Sequence, residues 1–280
     1  MSDTLVIIPT YNEKENIEAI IKTVFEQDKK FHILVVDDNS PDGTAAIVDD
    51  LILRYSDRLF IEKREGKNGL GTAYIHGFKW AIAKKYDYII EMDADFSHNP
   101  KDLIRLYNAC KKEGGAVSVG SRYVNNKVNV VNWDIKRLLL SYFASKYVRL
   151  ITRIPLFDTT AGFVCWKREV LETIQLDKIK FIGYAFQIEM KYRAYKKRFK
   201  IRADEALIDE TNEVKPCIKY PRYRITKTFA PKYPWLFFRE SKIEEDSITK
   251  FCEDNLAYLI DAGFNIVVTE NTDNKGTQAI

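Results

Sequence analysis

The chain has 280 residues, 46% hydrophobic and 30% charged, an ordinary globular balance with length for one large domain or two small ones. Its formal net charge of +4 gives no general argument for nucleic acid, and none is expected as a partner. No stretch reaches the roughly 20 apolar residues that span a bilayer, and Met1-Ser2-Asp3-Thr4 runs straight into a strand-like segment, so contact with a membrane is expected only at its surface.

Leu5-Val6-Ile7-Ile8 is a continuous apolar run, the pattern of a strand buried on both faces. Pro9-Thr10-Tyr11-Asn12-Glu13 breaks it. This turn either holds a nucleotide, with Tyr11 against a base and Glu13 on a ribose or base, or is a strand-to-helix turn capped by Asn12. Ile17, Ile20, Ile21 and Val24 then share one face of a helix from Asn16 to Phe25. Phe31 to Val36 is a second buried strand, with His32 as a structural residue, and it ends in Asp37-Asp38. Ser40-Pro41-Asp42-Gly43-Thr44 opens a helix from Ala45 to Tyr55, with Asn39 and Ser40 as turn and cap residues.

Leu59 to Glu62 is a short strand. Gly66-Lys67-Asn68-Gly69-Leu70-Gly71 follows. It lacks the Lys-Ser/Thr end of a P-loop and the G-x-G-x-x-G order of a dinucleotide site. Gly69 and Gly71 still permit a ligand close to the backbone. A helix from Thr72 to Lys84 leads to a strand, Tyr88 to Met92, and then to Asp93-Ala94-Asp95. Two carboxylates so spaced at a strand's carboxyl end either converge on one hard divalent cation or form a solvated acidic turn. His98 is a candidate to line the same end.

Lys101 to Lys112 is helical, and Ala116 to Gly120 is a strand. Arg122 after it, and Arg137 on a helix that also carries Ser141, are phosphate forks or ordinary surface ion-pair partners. Asp158 precedes the Gly162 turn. Gln187 and Glu189 open a further helix, where Glu189 alternatively only complements the helix dipole. The basic, aromatic run from Lys191 to Arg202 either faces anionic lipid or phosphate, or is a solvated helix face plus an edge strand. Cys110, Cys165, Cys217 and Cys252 are scattered without metal spacing and read as reduced thiols of a cytosolic protein.

This strand–helix rhythm implies an α/β fold, a mainly parallel sheet with helices on both faces. Ligands bind such sheets beyond the carboxyl ends of the strands. Asn12-Glu13, Asp37-Asp38 and Asp93/Asp95 are therefore expected along one edge.

Taken in order, Ile8-Pro9-Thr10-Tyr11-Asn12-Glu13, Val36-Asp37-Asp38-Asn39-Ser40-Pro41-Asp42-Gly43-Thr44, Met92-Asp93-Ala94-Asp95-Phe96-Ser97-His98, Gly120-Ser121-Arg122-Tyr123 and Gly183-Tyr184-Ala185-Phe186-Gln187-Ile188-Glu189 resemble the inverting GT-A glycosyltransferases, whose fold is Rossmann-like. The last two motifs and the Ser97-His98-Asn99-Pro100 extension are most similar to the polyprenol (dolichyl) phosphate mannose synthases. The resemblance implies transfer of mannose from GDP-mannose to a polyprenyl phosphate, with inversion. It implies an enzyme peripherally associated with the cytoplasmic, inner face of a membrane. Pro9, Tyr11, Glu13 and Asp38 would then hold the guanosine, and Asp93 and Asp95 a Mg²⁺ or Mn²⁺ ion on the diphosphate. Arg122, Arg137 and Ser141 would hold the acceptor phosphate, and Gln187 and Glu189 would shape the sugar side of the pocket. The alternatives are a transferase using a UDP-sugar, such as a polyprenyl-phosphate glucosyltransferase, and a nucleotide-sugar-binding module without turnover.

The chemistry is consistent with that reading. A phosphate monoester is already anionic near neutral pH, with a second pKa of about 6. It needs cationic positioning rather than a general base. A hydroxyl acceptor would need a carboxylate base, for which Asp158 is the candidate. The catalytic domain is expected over residues 1–203, with a divergent extension over 204–280. Family members carry an Asp-Arg…Gly…Ser-Lys-Met segment after the basic region; here Asp209-Glu210-Thr211-Asn212-Glu213-Val214-Lys215 stands in its place.

Overall fold

The computed structural model describes residues 2–28, 30–121, 123–124, 127–128, 135–183, 185–205, 222–227 and 264–269, with side chains described except over 123–143 and from 204 onward. In chain order these form β1 (Thr4–Thr10), α1 (Ile17–Gln27), β2 (Phe31–Asp37), α2 (Thr44–Ile52), β3 (Leu59–Lys63), α3 (Leu70–Ala83) and β4 (Tyr88–Glu91). Then come α4 (Leu103–Lys111), β5 (Val117–Ser121), β6 (Tyr123–Val124), β7 (Lys127–Val128), α5 (Ile135–Thr152) and β8 (Val164–Lys167). The series closes with α6 (Arg168–Thr173), α7 (Ala185–Lys196), β9 (Ile201–Glu205), β10 (Arg222–Lys227) and β11 (Phe264–Thr269).

Two compact units result, Met1–Arg122 with Ile135–Ile208, and Tyr123–Asp134 with Asp209–Ile280. The first is built on a seven-stranded sheet in the order β3-β2-β1-β4-β8-β5-β9. β1 pairs in parallel with β2 and β4, β2 with β3, and β5 with β9, while β8 runs antiparallel to both neighbours. The mainly parallel sheet expected from the sequence is therefore present, with β8 as its reversed strand. In the second unit, β11, β10, β7 and β6 form an antiparallel sheet.

Alternation along each strand divides the apolar residues between two cores. Leu5, Ile7, Leu34, Val36 and Ile89 face α3, α6 and α7 through Tyr74, Phe78, Leu171 and Met190. Val6, Ile8, Ile33, Val35 and Ile90 face α1, α2 and α4 through Ile17, Ile20, Val24, Val48 and Leu106. Burial on both faces is why these strands read as unbroken apolar runs. It also confines most of their polar residues to the strand ends.

Two local expectations are corrected. Helix α2 begins at Thr44 behind Gly43, and the side chain that serves its start is Asp42, which accepts from the Thr44 N–H at 2.9 Å. Asn39 instead takes a left-handed backbone (φ 59°), a conformation Asn tolerates better than most residues. His32 is structural as expected: its Nδ1 lies 2.7 Å from the Tyr86 hydroxyl.

Gly77 sets how closely α3 lies on β1, since a Cβ there would sit 2.8 Å from Ile7 Cγ2 and 3.0 Å from Ile7 Cδ1. Gly77→Ala is expected to destabilise the protein by about 1–3 kcal/mol, the usual overpacking cost. Urea denaturation checks this; an unchanged midpoint would contradict the packing.

Candidate active site

The turn after β1 is held by the turn after β2. Asp37 accepts from the Thr10 hydroxyl at 2.8 Å and from the Ser40 hydroxyl at 2.6 Å. Three acceptors of the second turn then take successive backbone N–H groups of the first. Ser40 Oγ takes Asn12, Thr44 Oγ1 takes Glu13, and Asp42 Oδ2 takes Lys14, each at 3.0 Å. Pro9 therefore lies in β1 and Tyr11 stands exposed beyond it, with Lys67 Nζ 4.3 Å from the Tyr11 ring centroid. Asp38 is buried and pairs with Arg64 at 3.0 Å; Arg64 also donates to Thr72 Oγ1 at 2.7 Å. Burial raises the Asp38 carboxyl above its ordinary range and Arg64 opposes the rise. Arg64 and Lys67 went unread in the sequence, where a single cation in a loop carries no partner information.

Glu13 belongs to the same edge as the Asp93/Asp95 pair. Its carboxyl is raised first by burial and then by the fields of Asp95, Asp93 and Asp42, against a hydrogen bond from Asn16 at 2.9 Å. The three strand-end acidic groups expected along one edge are thus brought together.

At the end of β4, Asp93 is oriented from two sides. The buried Tyr74 hydroxyl donates to Asp93 Oδ1 at 3.0 Å, and the Asp93 N–H donates to His98 Nδ1 at 3.0 Å. Burial and Asp93 raise the Tyr74 phenol well above its ordinary pKa, so it stays a donor. His98 stacks on Phe163 with ring centroids 4.9 Å apart, and its Nε2 lies 3.8 Å from Asp93 Oδ2. Asp95 is exposed, with Oδ1 accepting from the Ser97 N–H at 2.9 Å. Phe96 between them has φ 59°, a conformation bulky residues rarely adopt, and this reverses the chain so that His98 returns to Asp93.

The donor set fits a hard divalent cation. Asp93 and Asp95 offer carboxylate oxygens at an open strand end. Among the described residues no three His, Cys, Asp or Glu side chains gather as a metal cage. A cation here would take its remaining ligands from a bound molecule and water, which is the habit of Mg²⁺.

Beneath Asp93 lies a buried polar network that sequence reading missed. Glu91 accepts from Trp166 Nε1 at 2.5 Å and from the Gln187 amide. Lys191 Nζ donates to the Ala161 carbonyl at 2.6 Å, to Gln187 Oε1 at 3.1 Å and to the Thr159 carbonyl at 3.3 Å. Burial raises the Glu91 carboxyl and the charge of Lys191 opposes it. Gln187 is therefore part of this internal network, although the resemblance put it on the sugar side. Glu189 is a loop anchor: it accepts from the Lys180 and Phe181 N–H groups at 2.9 and 3.1 Å and pairs with Arg193 at 2.7 Å.

Lys191 fixes the segment that carries Asp158. Asp158 is buried, with Thr160 Oγ1 3.4 Å from its Oδ1, and a Cβ on nearby Gly162 would lie 4.0 Å from Asp93 Oδ2. The expectation that Gly69 and Gly71 admit a ligand is corrected. Gly71 donates to the Ile182 carbonyl at 2.9 Å, and a Cβ there would meet the Phe186 ring at 2.8 Å, so the glycines admit the chain itself. The run from Lys191 to Arg202 is not one solvated face either, because Lys191 is fully buried and Arg193 and Arg202 are ion-paired. Cys110 and Cys165 are buried free thiols. Arg122, the side chains of Arg137 and Ser141 on α5, Cys217, Cys252 and the segment from Asp209 to Lys215 lie outside the described residues.

Lys191→Met would leave the buried Glu91 carboxyl, already raised to about 7 by burial, without the positive charge that opposes that rise, and Gln187 Oε1 without its donor. It is expected to cost about 3–5 kcal/mol of stability, with a large part recovered in the Glu91→Gln/Lys191→Met double variant. Equal denaturant midpoints for wild type and Lys191→Met would contradict the pairing.

Residues 5–175 match glycosyl transferase family 2. Polyprenol monophosphomannose synthase of Mycolicibacterium smegmatis is 46% identical over 198 residues, 71% of this chain and 74% of that protein. Undecaprenyl-phosphate mannosyltransferase of Micrococcus luteus is 39% identical over 189 residues, 68% of this chain and 76% of that protein. Among solved structures, glucosyl-3-phosphoglycerate synthase of Mycobacterium tuberculosis, in complex with Mn²⁺ and UDP-glucose, is similar with a TM-score of 0.53 at 15% identity over 93% of this chain and 78% of that one. At that identity the likeness concerns the fold, which is the GT-A arrangement expected from the motifs. With its sheet, its strand-end acidic edge and more than half its length matched, the chain belongs to glycosyl transferase family 2.

Proposed function

We propose that this glycosyltransferase moves mannose from GDP-mannose to a polyprenyl phosphate with inversion, working from the cytoplasmic face of a membrane. The observation that carries the reading is the Asp93/Asp95 pair, open at the end of β4 and oriented by Tyr74 and His98, with Glu13 in its field. The names of the two curated relatives support the sugar and the lipid acceptor. The catalytic domain is assigned to residues 1–203 and the extension to 204–280.

In this reading Pro9, Tyr11, Glu13 and Asp38 receive the nucleoside, and Lys67 over Tyr11 and Arg64 on Asp38 preset that end. Breaking the sugar–phosphate bond loads negative charge on the leaving diphosphate. Asp93 and Asp95 hold the Mg²⁺ or Mn²⁺ that would neutralise it. Tyr74 and His98 keep Asp93 aimed there. Arg122, Arg137 and Ser141 bind the acceptor phosphate, whose own charge makes a base unnecessary. Asp158 becomes the base only for a hydroxyl acceptor.

Asp93→Asn and Asp95→Asn are each expected to lower transfer by about 10²-fold or more, the scale of losing charge stabilisation of a leaving group. Radiolabelled mannose transfer with Mg²⁺ or Mn²⁺ present measures it, and undiminished activity in either variant sinks the metal assignment. Tyr74→Phe keeps both carboxylates but loses the donor that orients Asp93. It is expected to raise the metal concentration for half-maximal activity at least about 10-fold, as supporting groups around metal ligands do. An unchanged metal titration would remove Tyr74 from the site.

A further inference from the structure

Phe186 is 1% exposed and belongs to the core that α7 shares with α3. Its ring is parallel to that of Tyr74, with 3° between the planes and 6.2 Å between the centroids, an offset stack of the kind aromatic pairs favour. Phe78, one turn further along α3, lies 6.1 Å from Tyr74 at 22°. The Tyr74 ring is therefore held by one aromatic of its own helix and by one from α7.

Gly71 makes room for this arrangement. It stands three residues before Tyr74 on α3, hence on the same face. A Cβ there would lie 2.8 Å from Phe186 Cγ, 2.9 Å from Phe186 Cδ2 and 3.1 Å from Ile182 Cα. Only a bare backbone at position 71 lets the Phe186 ring come this close to α3 beside Tyr74. The next residue, Gln187, donates to Glu91 in β4. The start of α7 thus grips β4 directly at Glu91 and grips α3 at Tyr74, whose hydroxyl reaches Asp93 two residues beyond Glu91.

The Tyr74 hydroxyl sits at the far end of its ring, where any tilt of the ring displaces it most. Its 3.0 Å bond to Asp93 Oδ1 is already at the long end of the O–H···O range. A ring released on one side would lose that bond without any shift of the α3 or β4 backbone. Burial of an aromatic elsewhere has no such consequence. Phe31 is equally buried, but it lies in the opposite core and packs edge-on against Tyr107, which bonds Asp3. We propose that Phe186 is a positioning residue for the metal: stacked on Tyr74 over Gly71, it keeps the Tyr74 hydroxyl on Asp93, so that cation affinity depends on α7 as well as on the carboxylates. This rests on the reading of Asp93 and Asp95 as the cation's ligands.

Mn²⁺ titration of the full chain with GDP present, followed by water-proton relaxation, reads enzyme-bound cation without turnover. Phe186→Leu is expected to weaken Mn²⁺ binding at least about threefold, short of the roughly 10-fold that loss of the Tyr74 donor itself brings. Gly71→Ala, which displaces the same ring from the α3 side, should weaken it likewise. In a Tyr74→Phe background there is no hydroxyl left to aim, and Phe186→Leu should add nothing. Phe31→Leu removes a comparable buried ring and should lower the melting temperature without changing Mn²⁺ binding. Unchanged binding in Phe186→Leu, equal weakening in Phe31→Leu, or an undiminished effect of Phe186→Leu in the Tyr74→Phe background overturns the proposal. Should Phe186→Leu not fold, Gly71→Ala with and without Tyr74→Phe decides in the same way. Asp93→Asn and Asp95→Asn separate the two ideas. Wild-type Mn²⁺ binding in both removes the metal site and this role with it, whereas loss of binding there beside unchanged binding in Phe186→Leu removes the role of Phe186 alone.

Discussion

A carboxylate buried inside the strand that leads to the site has to be offset, and the charge of Lys191, linked to Glu91 through Gln187, opposes the cost of that burial. Nothing else on β4 departs from the apolar rule of a strand covered on both faces. The pair, extended by Trp166 and Gln187, ties β4, β8, α7 and the Thr159–Ala161 carbonyls into one unit. Asp93 stands two residues further along the chain, just past the end of that strand. Its position relative to Asp158 is thus fixed from below by a network that never reaches solvent. Networks of this kind are costly if half-satisfied, and here each polar end has a partner.

The site above it follows from the same constraint. The central strands β1, β2 and β4 are covered on both faces, so carboxylates accumulate where they end. Asp37 spends its carboxylate on the Thr10 and Ser40 hydroxyls and so locks two turns together. Asp38, Glu13, Asp93 and Asp95 follow the ends of β2, β1 and β4. Each is then trimmed by a neighbour: Arg64 on Asp38, Asn16 on Glu13, Tyr74 and His98 on Asp93, and the Ser97 N–H on Asp95. In the proposed reaction, this acidic edge is what would take a divalent cation together with a diphosphate.

Periodicity and strand-end chemistry made much of this legible. The stripe Ile17, Ile20, Ile21 and Val24 placed α1, and unbroken apolar runs placed β1, β2 and β4 with their acidic ends on one edge. What stayed hidden depends on pairing across distant elements. Tyr74 looks like one more aromatic on an apolar helix until α3 is laid beside β4. Lys191 looks like the first residue of a solvated basic run until α7 turns it inward. Gln187 and Glu189 carry a family motif, yet their side chains serve Glu91 and the loop at Lys180. Gly69 and Gly71 resemble a ligand cradle because close approach is required there, but local sequence cannot tell whether the visitor is a ligand or Ile182 and Phe186.

The most direct test of the central claim is the product itself. The full chain, supplied with GDP-mannose, a divalent cation and polyprenyl phosphate, should yield a mannosyl-phosphate lipid whose anomeric configuration, read by NMR coupling, is opposite to that of the donor. A product retaining the donor's configuration, or turnover of UDP-glucose with none of GDP-mannose, would contradict the account.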